Sequence, residues 1–258
     1  MNKGSAKAHK EAVHAEEEVD SYWTSSRRPL EILVFLLPFI VFYEVGLLFV
    51  LRADRGTITN LAHEWIIQFM GFFNVDMFGL SVPGVAVVLV LLIWHVCTKR
   101  HWRVRWSSIG LMLVESILLA IPLLVASRLV QQFIPLMGSE GEIIEALGPY
   151  GRITVSIGAG LYEELLFRML VVFVVHTILV DVCGLSNLIG LTIAVIVSAL
   201  LFTWYHPVWG PDGTASAGRL LFYMIAGLWF GVLYVVRGFG IVVAVHAFYD
   251  IATLLGSD

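Results

Sequence analysis

Ionisable side chains recur in three clusters inside the apolar second half of this 258-residue sequence. The clusters are Glu163, Glu164 and Arg168; Phe202 and His206; and His246 and Asp250. A charge at the centre of a bilayer costs at least about 2.5–3.5 kcal/mol to insert, so repeated charges need a compensating role. These residue types indicate hydrolysis, because a glutamate beside histidines can activate water. A carboxylate and two histidines can also bind zinc with a position left open for water.

Spacing within the first cluster separates the two glutamates. Arg168 follows Glu164 by four residues, so the two share a helix face and can form an ion pair. Glu163 lies about 100° further around the helix and has no local partner. Gly158 and Gly160, about one turn earlier, allow another helix to approach closely.

Each cluster, taken alone, also fits a structural role. The first fits a buried salt bridge, and the second fits an interfacial histidine within an aromatic belt. The third fits a hydrogen-bonded pair that holds helices together, since His246 and Asp250 also share a helix face. Taken together, polar groups from three late spans are expected to face one another within a bundle instead of facing lipid.

The composition indicates the kind of protein that must position these groups. Apolar residues make up 59% of the chain and charged residues 14%, whereas soluble domains contain about 45–50% and about 25%. So many apolar side chains exceed one soluble core, and some must face lipid. We predict an all-α fold, a polytopic membrane bundle of about seven to eight transmembrane helices, because helices satisfy their backbone groups locally. A net charge of −4 without a basic stretch argues against a nucleic-acid partner.

Seven long apolar segments are the predicted spans. They cover residues 30–51, 79–97, 107–133, 153–180, 188–205, 220–236 and 240–255. Residues 61–73 predict an amphipathic helix at the membrane interface. Residues 1–28 mix basic and acidic side chains without an apolar core and predict a solvated polar tail. Residues 29–258 are then a single transmembrane domain, with a motif-bearing core at about 150–255.

Basic residues predict the orientation of this bundle. The tail carries five Lys or Arg residues and the loop after the second span carries four, so both should be cytoplasmic. Seven spans then place the C-terminus outside, and Glu163 and His206 toward the non-cytoplasmic half. The two cysteines, Cys97 and Cys183, are expected to be free thiols near span ends.

The three clusters resemble the CPBP family, which comprises CAAX prenyl endopeptidases and bacteriocin-processing or immunity proteins. That family's pattern is Glu-Glu-x-x-x-Arg, then Phe-x-x-x-His, then His-x-x-x-Asn or Asp, and this chain matches its order and spacing over about residues 150–255. The resemblance implies an all-helical intramembrane endopeptidase that hydrolyses a peptide bond of a membrane-anchored peptide or protein.

The resemblance also implies roles for single residues. Glu163 would be the base that activates water, aided by His206. His246 and Asp250 would orient the site or stabilise the oxyanion. Asp250 stands where the family often has asparagine, which favours the orienting or ligand role over oxyanion donation.

The remaining motif residues would support that site. Glu164 and Arg168 would form a pair, and Phe202 would pack beside the glutamate helix. The family's site is interpreted either as metal-free or as a zinc site, for which the possible ligands are Glu163, His206 and His246. The sequence leaves both open, so the cofactor is none or zinc.

Two other functions remain open beside the protease. One is a non-enzymatic immunity or scaffold protein of the same fold, although a pure binder has no need of the full residue set. The other is a transporter that uses the buried charges as a proton relay, but no inverted repeat supports it. The expected location is a prokaryotic plasma (inner) membrane, with the bilayer and a membrane-anchored substrate as partners. Because the site is placed toward the outer half, processing of prenylated cytosolic tails is not predicted.

Overall fold

A bundle of long helices forms the protein in the computed structural model, which describes residues 21–53, 56–57, 60–72, 82–133, 147–210 and 213–256. The helices are α1 Tyr22–Ser25, α2 Pro29–Phe49, α3 Leu61–Gly71, α4 Val82–Cys97, α5 Trp106–Phe133, α6 Pro149–Val182, α7 Asn187–Tyr205, α8 Ala217–Arg237 and α9 Phe239–Leu255. A short antiparallel hairpin of β1 Arg52–Ala53 and β2 Gly56–Thr57 lies between α2 and α3. The prediction of an all-α polytopic bundle is confirmed.

Every predicted span corresponds to a helix whose ends lie within a few residues of the predicted ones. Five helices, α2, α5, α6, α7 and α8, are long and apolar enough to cross a membrane, and α4 and α9 are shorter apolar helices. The amphipathic segment forms α3, which begins where the Asn60 side chain accepts a hydrogen bond from Ala62 N. Such an N-cap satisfies one of the backbone donors that a helix start leaves without a partner.

Apolar side chains on α5 divide into a buried and an exposed face. Met112, Ala120 and Leu123 are buried. Leu111, Val114, Leu118, Ile121 and Val125 are exposed at the three- and four-residue spacing of one helix face. An exposed apolar stripe of this length is what a lipid-facing helix requires.

The helix α9 lies at the centre of the bundle and packs against α6, α5 and α8. Its residues Ile241–Val245 are fully buried. Gly160 of α6 makes the close approach possible, because a Cβ atom there would lie 2.6 Å from the carbonyl oxygen of Val243. The predicted role of Gly160 in close helix packing is therefore confirmed, and this contact sets His246 opposite the glutamate pair.

The predicted solvated tail is corrected at Ser25 and Ser26, which are buried, while residues 1–20 lie outside the described part of the chain. Tyr22–Ser25 forms a helical turn, and Ser25 and Ser26 are buried. The reason is a set of distant partners: Ser25 Oγ lies 2.7 Å from Ser108 Oγ, and Arg237 donates to Ser26 Oγ at 3.2 Å. These partners come from α5 and α8, so local composition could not indicate them.

Candidate active site

The two adjacent glutamates of α6 are both buried but belong to different networks. Glu164 Oε1 lies 2.8 Å from His246 Nδ1, and Glu164 Oε2 lies 3.2 Å from Arg168 Nε. Glu163 Oε1 instead accepts a hydrogen bond from Asn60 Nδ2 at 2.6 Å. The separation follows from the helix, since neighbouring residues point about 100° apart.

The second oxygen of Glu163 faces two histidines. Glu163 Oε2 lies 3.5 Å from His206 Nε2 and 3.9 Å from His246 Nε2. It is buried and accepts no hydrogen bond from the described residues. A buried carboxylate oxygen without a donor is costly, and such atoms in native structures call for an explanation such as a catalytic role or a bound water.

His206 presents one defined nitrogen to Glu163. It follows the last residue of α7, and its Nδ1 lies 2.8 Å from the carbonyl oxygen of Phe202. Because a carbonyl only accepts, Nδ1 carries the proton, and Nε2 of the neutral ring is a hydrogen-bond acceptor. Tyr223 of α8 stacks on the imidazole with ring centroids 4.1 Å apart, which fixes the plane of the ring.

His246 connects both carboxylates of α6 with Asp250. Its Nδ1 donates to Glu164, and its Nε2 lies 3.5 Å from Asp250 Oδ2 one turn along α9. Phe230 stacks on the ring with centroids 4.5 Å apart. The side chain of Asp250 is 23% exposed, so this residue forms the more open edge of the site.

Arg168 lies beneath the site, fully buried, in a π-helical stretch of α6 over Leu165–Val171. It pairs with Glu164, donates to Ser198 Oγ at 3.2 Å, and places its guanidinium 4.6 Å from the centroid of the Phe202 ring. Phe202 also contacts Phe167 of α6 in an edge-to-face arrangement at 5.5 Å. All seven motif residues therefore lie in one continuous group within the bundle.

Residues outside the motifs also contact this group, among them Asn60, Tyr205 and Tyr223. Asn60 and Tyr223 are described above, and the hydroxyl of Tyr205 donates to Asn60 Oδ1 at 3.2 Å. The sequence offers only a weak sign of Asn60, since an asparagine before an apolar helix predicts an N-cap. Nothing local in the sequence indicates that this cap contacts a glutamate 103 residues away.

The fit of a zinc ion depends on whether three donors meet at one point. Among the described residues, no group of three or more His, Cys, Asp or Glu side chains is arranged to hold a metal ion. The candidate ligand Glu163 is already held through Oε1 by an amide donor. The chemistry proposed below uses only these side chains and water.

The arrangement supplies the parts that hydrolysis requires. A carboxylate oxygen and an acceptor nitrogen of a second residue face the same space, where each can orient or deprotonate a water molecule. The pair of Glu164 and Arg168 satisfies the charges that do not face this space. The surrounding apolar helices exclude bulk water, which strengthens every electrostatic interaction inside.

Comparison with known proteins agrees with these motifs. Residues 147–252 match the family model described as type II CAAX prenyl endopeptidase Rce1-like. No curated protein matches the chain, and no solved structure does. The matched region includes all seven motif residues and excludes Asn60. The resemblance to the CAAX-type proteases is thus confirmed over residues 147–252.

Proposed function

We propose that this protein is an intramembrane endopeptidase that hydrolyses a peptide bond of a membrane-anchored peptide or protein. Water is activated at Glu163 with the help of His206. The observation that carries this proposal is the buried Oε2 atom of Glu163, which lacks a hydrogen-bond donor and faces two histidine nitrogens from other helices. The match of residues 147–252 to the family model supports a protease of the CAAX type. The positions of Glu163 Oε2 and the two histidines support water activation.

The reaction follows from the positions of these groups. A water between Glu163 Oε2 and His206 Nε2 gives one proton to the carboxylate while its oxygen attacks the peptide carbonyl carbon. The carbonyl oxygen becomes an oxyanion, which the Nε2–H edge of a protonated His246 can stabilise. When the C–N bond breaks, Glu163 returns the proton to the leaving nitrogen. The products are one new carboxylic acid and one new amine, and the acid then gives its proton to the amine or to water.

His246 and Asp250 have the orienting role in this scheme. The contact of Nδ1 with Glu164 fixes which edge of His246 faces the substrate, and Asp250 lies beside that edge. An aspartate next to the imidazole orients the ring and stabilises its charged form, as carboxylates do in other hydrolytic sites. Oxyanion donation is therefore assigned to His246 and not to Asp250.

Purified protein in lipid nanodiscs, incubated with a library of membrane-anchored peptides, tests the proposal. We expect cleavage, read by mass spectrometry, to fall by about 10²–10⁴-fold in His206→Ala. Asp181→Asn removes an exposed carboxylate at the far end of α6 and should cleave like the wild type. Metal content is measured on the same samples, and one zinc per active chain would replace the metal-free chemistry.

Two results would contradict the proposal. Equal cleavage by the wild type and a folded His206→Ala variant would remove this histidine from the reaction. A wild type that retains peptides from the library without cleaving any of them would favour the immunity or scaffold function.

A further inference from the structure

Asn60 is the only described residue that donates a hydrogen bond to Glu163. It lies outside the region that matches the family model and outside the three motifs. Its amide nitrogen donates to Glu163 Oε1 at 2.6 Å. Asn60 Oδ1 caps α3, so the side chain has a structural role, and its contact with Glu163 can serve the reaction in addition.

Two donors on the other side of the amide fix its orientation. Asn60 Oδ1 accepts from Ala62 N at 2.7 Å and from the hydroxyl of Tyr205 at 3.2 Å. Because a backbone N–H can only donate, the atom that Ala62 N contacts must be the oxygen, and the NH₂ group must face Glu163. Tyr205 also precedes His206 in the chain, so one hydroxyl links Asn60 to the helix end that carries the histidine.

The consequence for Glu163 is a carboxylate with one satisfied and one available oxygen. An NH₂ group can donate but cannot accept, so it favours the ionised form that a general base requires. By holding Oε1, it also turns Oε2 toward His206 Nε2, which lies 3.5 Å away. Without this contact, the carboxylate could rotate and use either oxygen.

We propose that Asn60 is a positioning residue of the reaction, which holds the Glu163 carboxylate oriented with Oε2 toward the histidines. This inference rests on the proposed function, because it assumes that Glu163 is the base. It assigns to the N-terminus of α3 a part of the site that the matched region does not contain.

Asn60→Ser separates the two roles of this side chain. Serine keeps the N-cap of α3 but is too short and has the wrong group to donate to Glu163. We expect kcat to fall by about 10–100-fold with KM nearly unchanged, since a hydrogen bond to a charged group is worth this much. Ser186→Ala removes the cap of α7 at a distance from the site and serves as the control for a lost cap.

Asn60→Asp adds a readout that a purely structural role would not change. Aspartate keeps the cap but places a second carboxyl beside Glu163, and two carboxyls at this distance tend to share a proton. Since the base must be deprotonated, the acidic limb of the pH–rate profile should move to higher pH. If Glu163→Gln is inactive, two results would overturn the inference. They are an unchanged pH–rate profile in Asn60→Asp and full activity in Asn60→Ser. Activity in Glu163→Gln would instead overturn the proposed function itself.

A different observation concerns the opposite end of the bundle. A cavity of about 420 Å³ lies between the segment before α2 and the end of α4, with Arg27, Arg28 and Arg100 in its lining. Trp23 and Trp94 also line it and are 60% and 42% exposed. Arginine recognises phosphate groups, and tryptophan favours the headgroup level of a membrane.

The charges of this cavity are only partly balanced. Arg28 forms an ion pair with the buried Glu31 at 3.7 Å, whereas Arg27 and Arg100 form none with the described residues. Burial lowers the pKa of the Arg28 guanidinium, Glu31 opposes this, and Arg100 and Arg105 lower it further. The cavity therefore carries excess positive charge at a membrane interface.

We infer that this cavity binds the phosphate headgroup of an anionic lipid. Phosphatidylglycerol and phosphatidylcholine are offered in equal amounts to the purified protein, and retained lipid is counted by native mass spectrometry. We expect about tenfold or greater preference for phosphatidylglycerol, since each nearby arginine contributes about 1 kcal/mol. The double variant Arg27→Ser/Arg100→Ser should lose this preference for phosphatidylglycerol. The control double variant Arg103→Ser/Arg128→Ser removes two exposed arginines elsewhere and should keep the preference.

Equal preference for phosphatidylglycerol in the two double variants would overturn this inference. Displacement of the lipid by millimolar inorganic phosphate would also overturn it, because the cavity would then recognise a free phosphate and not a lipid.

Discussion

Two neighbouring glutamates with the same chemistry acquire different roles through their contacts. Glu164 forms ion pairs with Arg168 and His246, so its charge is compensated within the bundle. Glu163 has a donor on one oxygen only, and the other oxygen is left available. Proteins give up stability of this kind at functional sites, where an unsatisfied group is part of the mechanism.

The buried pair of Glu164 and Arg168 predicts a specific stability effect. Arg168→Met leaves the Glu164 carboxylate buried with one partner fewer, and should lower the free energy of unfolding by about 3–5 kcal/mol. Unfolding in mixed detergent micelles measures this effect. Arg128→Met changes an exposed arginine of α5 and is the matched control.

A double variant tests whether the lost stability comes from the Glu164 charge that is left buried without Arg168. Because both charges are then removed, Arg168→Met with Glu164→Leu should recover part of the lost stability. If Arg168→Met and Arg128→Met unfold alike, the pair does not stabilise the bundle.

At the scale of helices, the contact between α6 and α9 determines the distance from the glutamates to His246. Gly160 allows this contact because a Cβ atom there would lie 2.6 Å from Val243 O and 3.0 Å from Ala247 N. Both are backbone atoms of a central helix, so the neighbour cannot move aside by a side-chain rotation.

Gly160→Ala should therefore separate the two helices and destabilise the protein by about 1–3 kcal/mol. Activity should fall as well, because His246 moves away from Glu164. Gly110→Ala is the matched control in α5, where no described residue of another helix lies within 4 Å of the added Cβ. Alanine at that position should be neutral or slightly stabilising. Two variants of equal stability would show that the close packing is not required.

The sequence predicted these elements well for a physical reason. Each span is a long apolar run, and the small residues at 158 and 160 indicate close packing without any knowledge of the partner. The motif residues could be grouped because buried polar groups must satisfy one another. Asn60 could not be placed, since its contact with Glu163 joins residues far apart in sequence. The burial of Ser25 and Ser26 could not be predicted for the same reason: their partners lie on α5 and α8.

At the scale of the whole molecule, the alternation of the helices predicts the side on which each end lies. Cys97 ends α4 and Cys183 follows α6, and both are exposed. With the basic loop on the cytoplasmic side, both thiols should lie there. The ends of α7 and α9, and with them the entrance to the site, should lie on the other side.

Labelling with a membrane-impermeant maleimide tests this topology. Both cysteines should react in inside-out vesicles and neither in right-side-out vesicles. The variants Cys97→Ser and Cys183→Ser assign the two signals. Labelling of the two thiols from opposite sides would show that α5 or α6 does not cross the membrane, and labelling of both from the outside would contradict the predicted orientation.

The most direct test of the central claim is the single-turnover cleavage rate of Glu163→Gln in lipid nanodiscs, measured beside its thermal unfolding. Glutamine keeps the size of the side chain but cannot accept the proton of water. We predict a folded variant, as stable as the wild type, whose cleavage rate is lower by about 10²–10⁴-fold. A folded Glu163→Gln variant that cleaves at the wild-type rate would contradict the account.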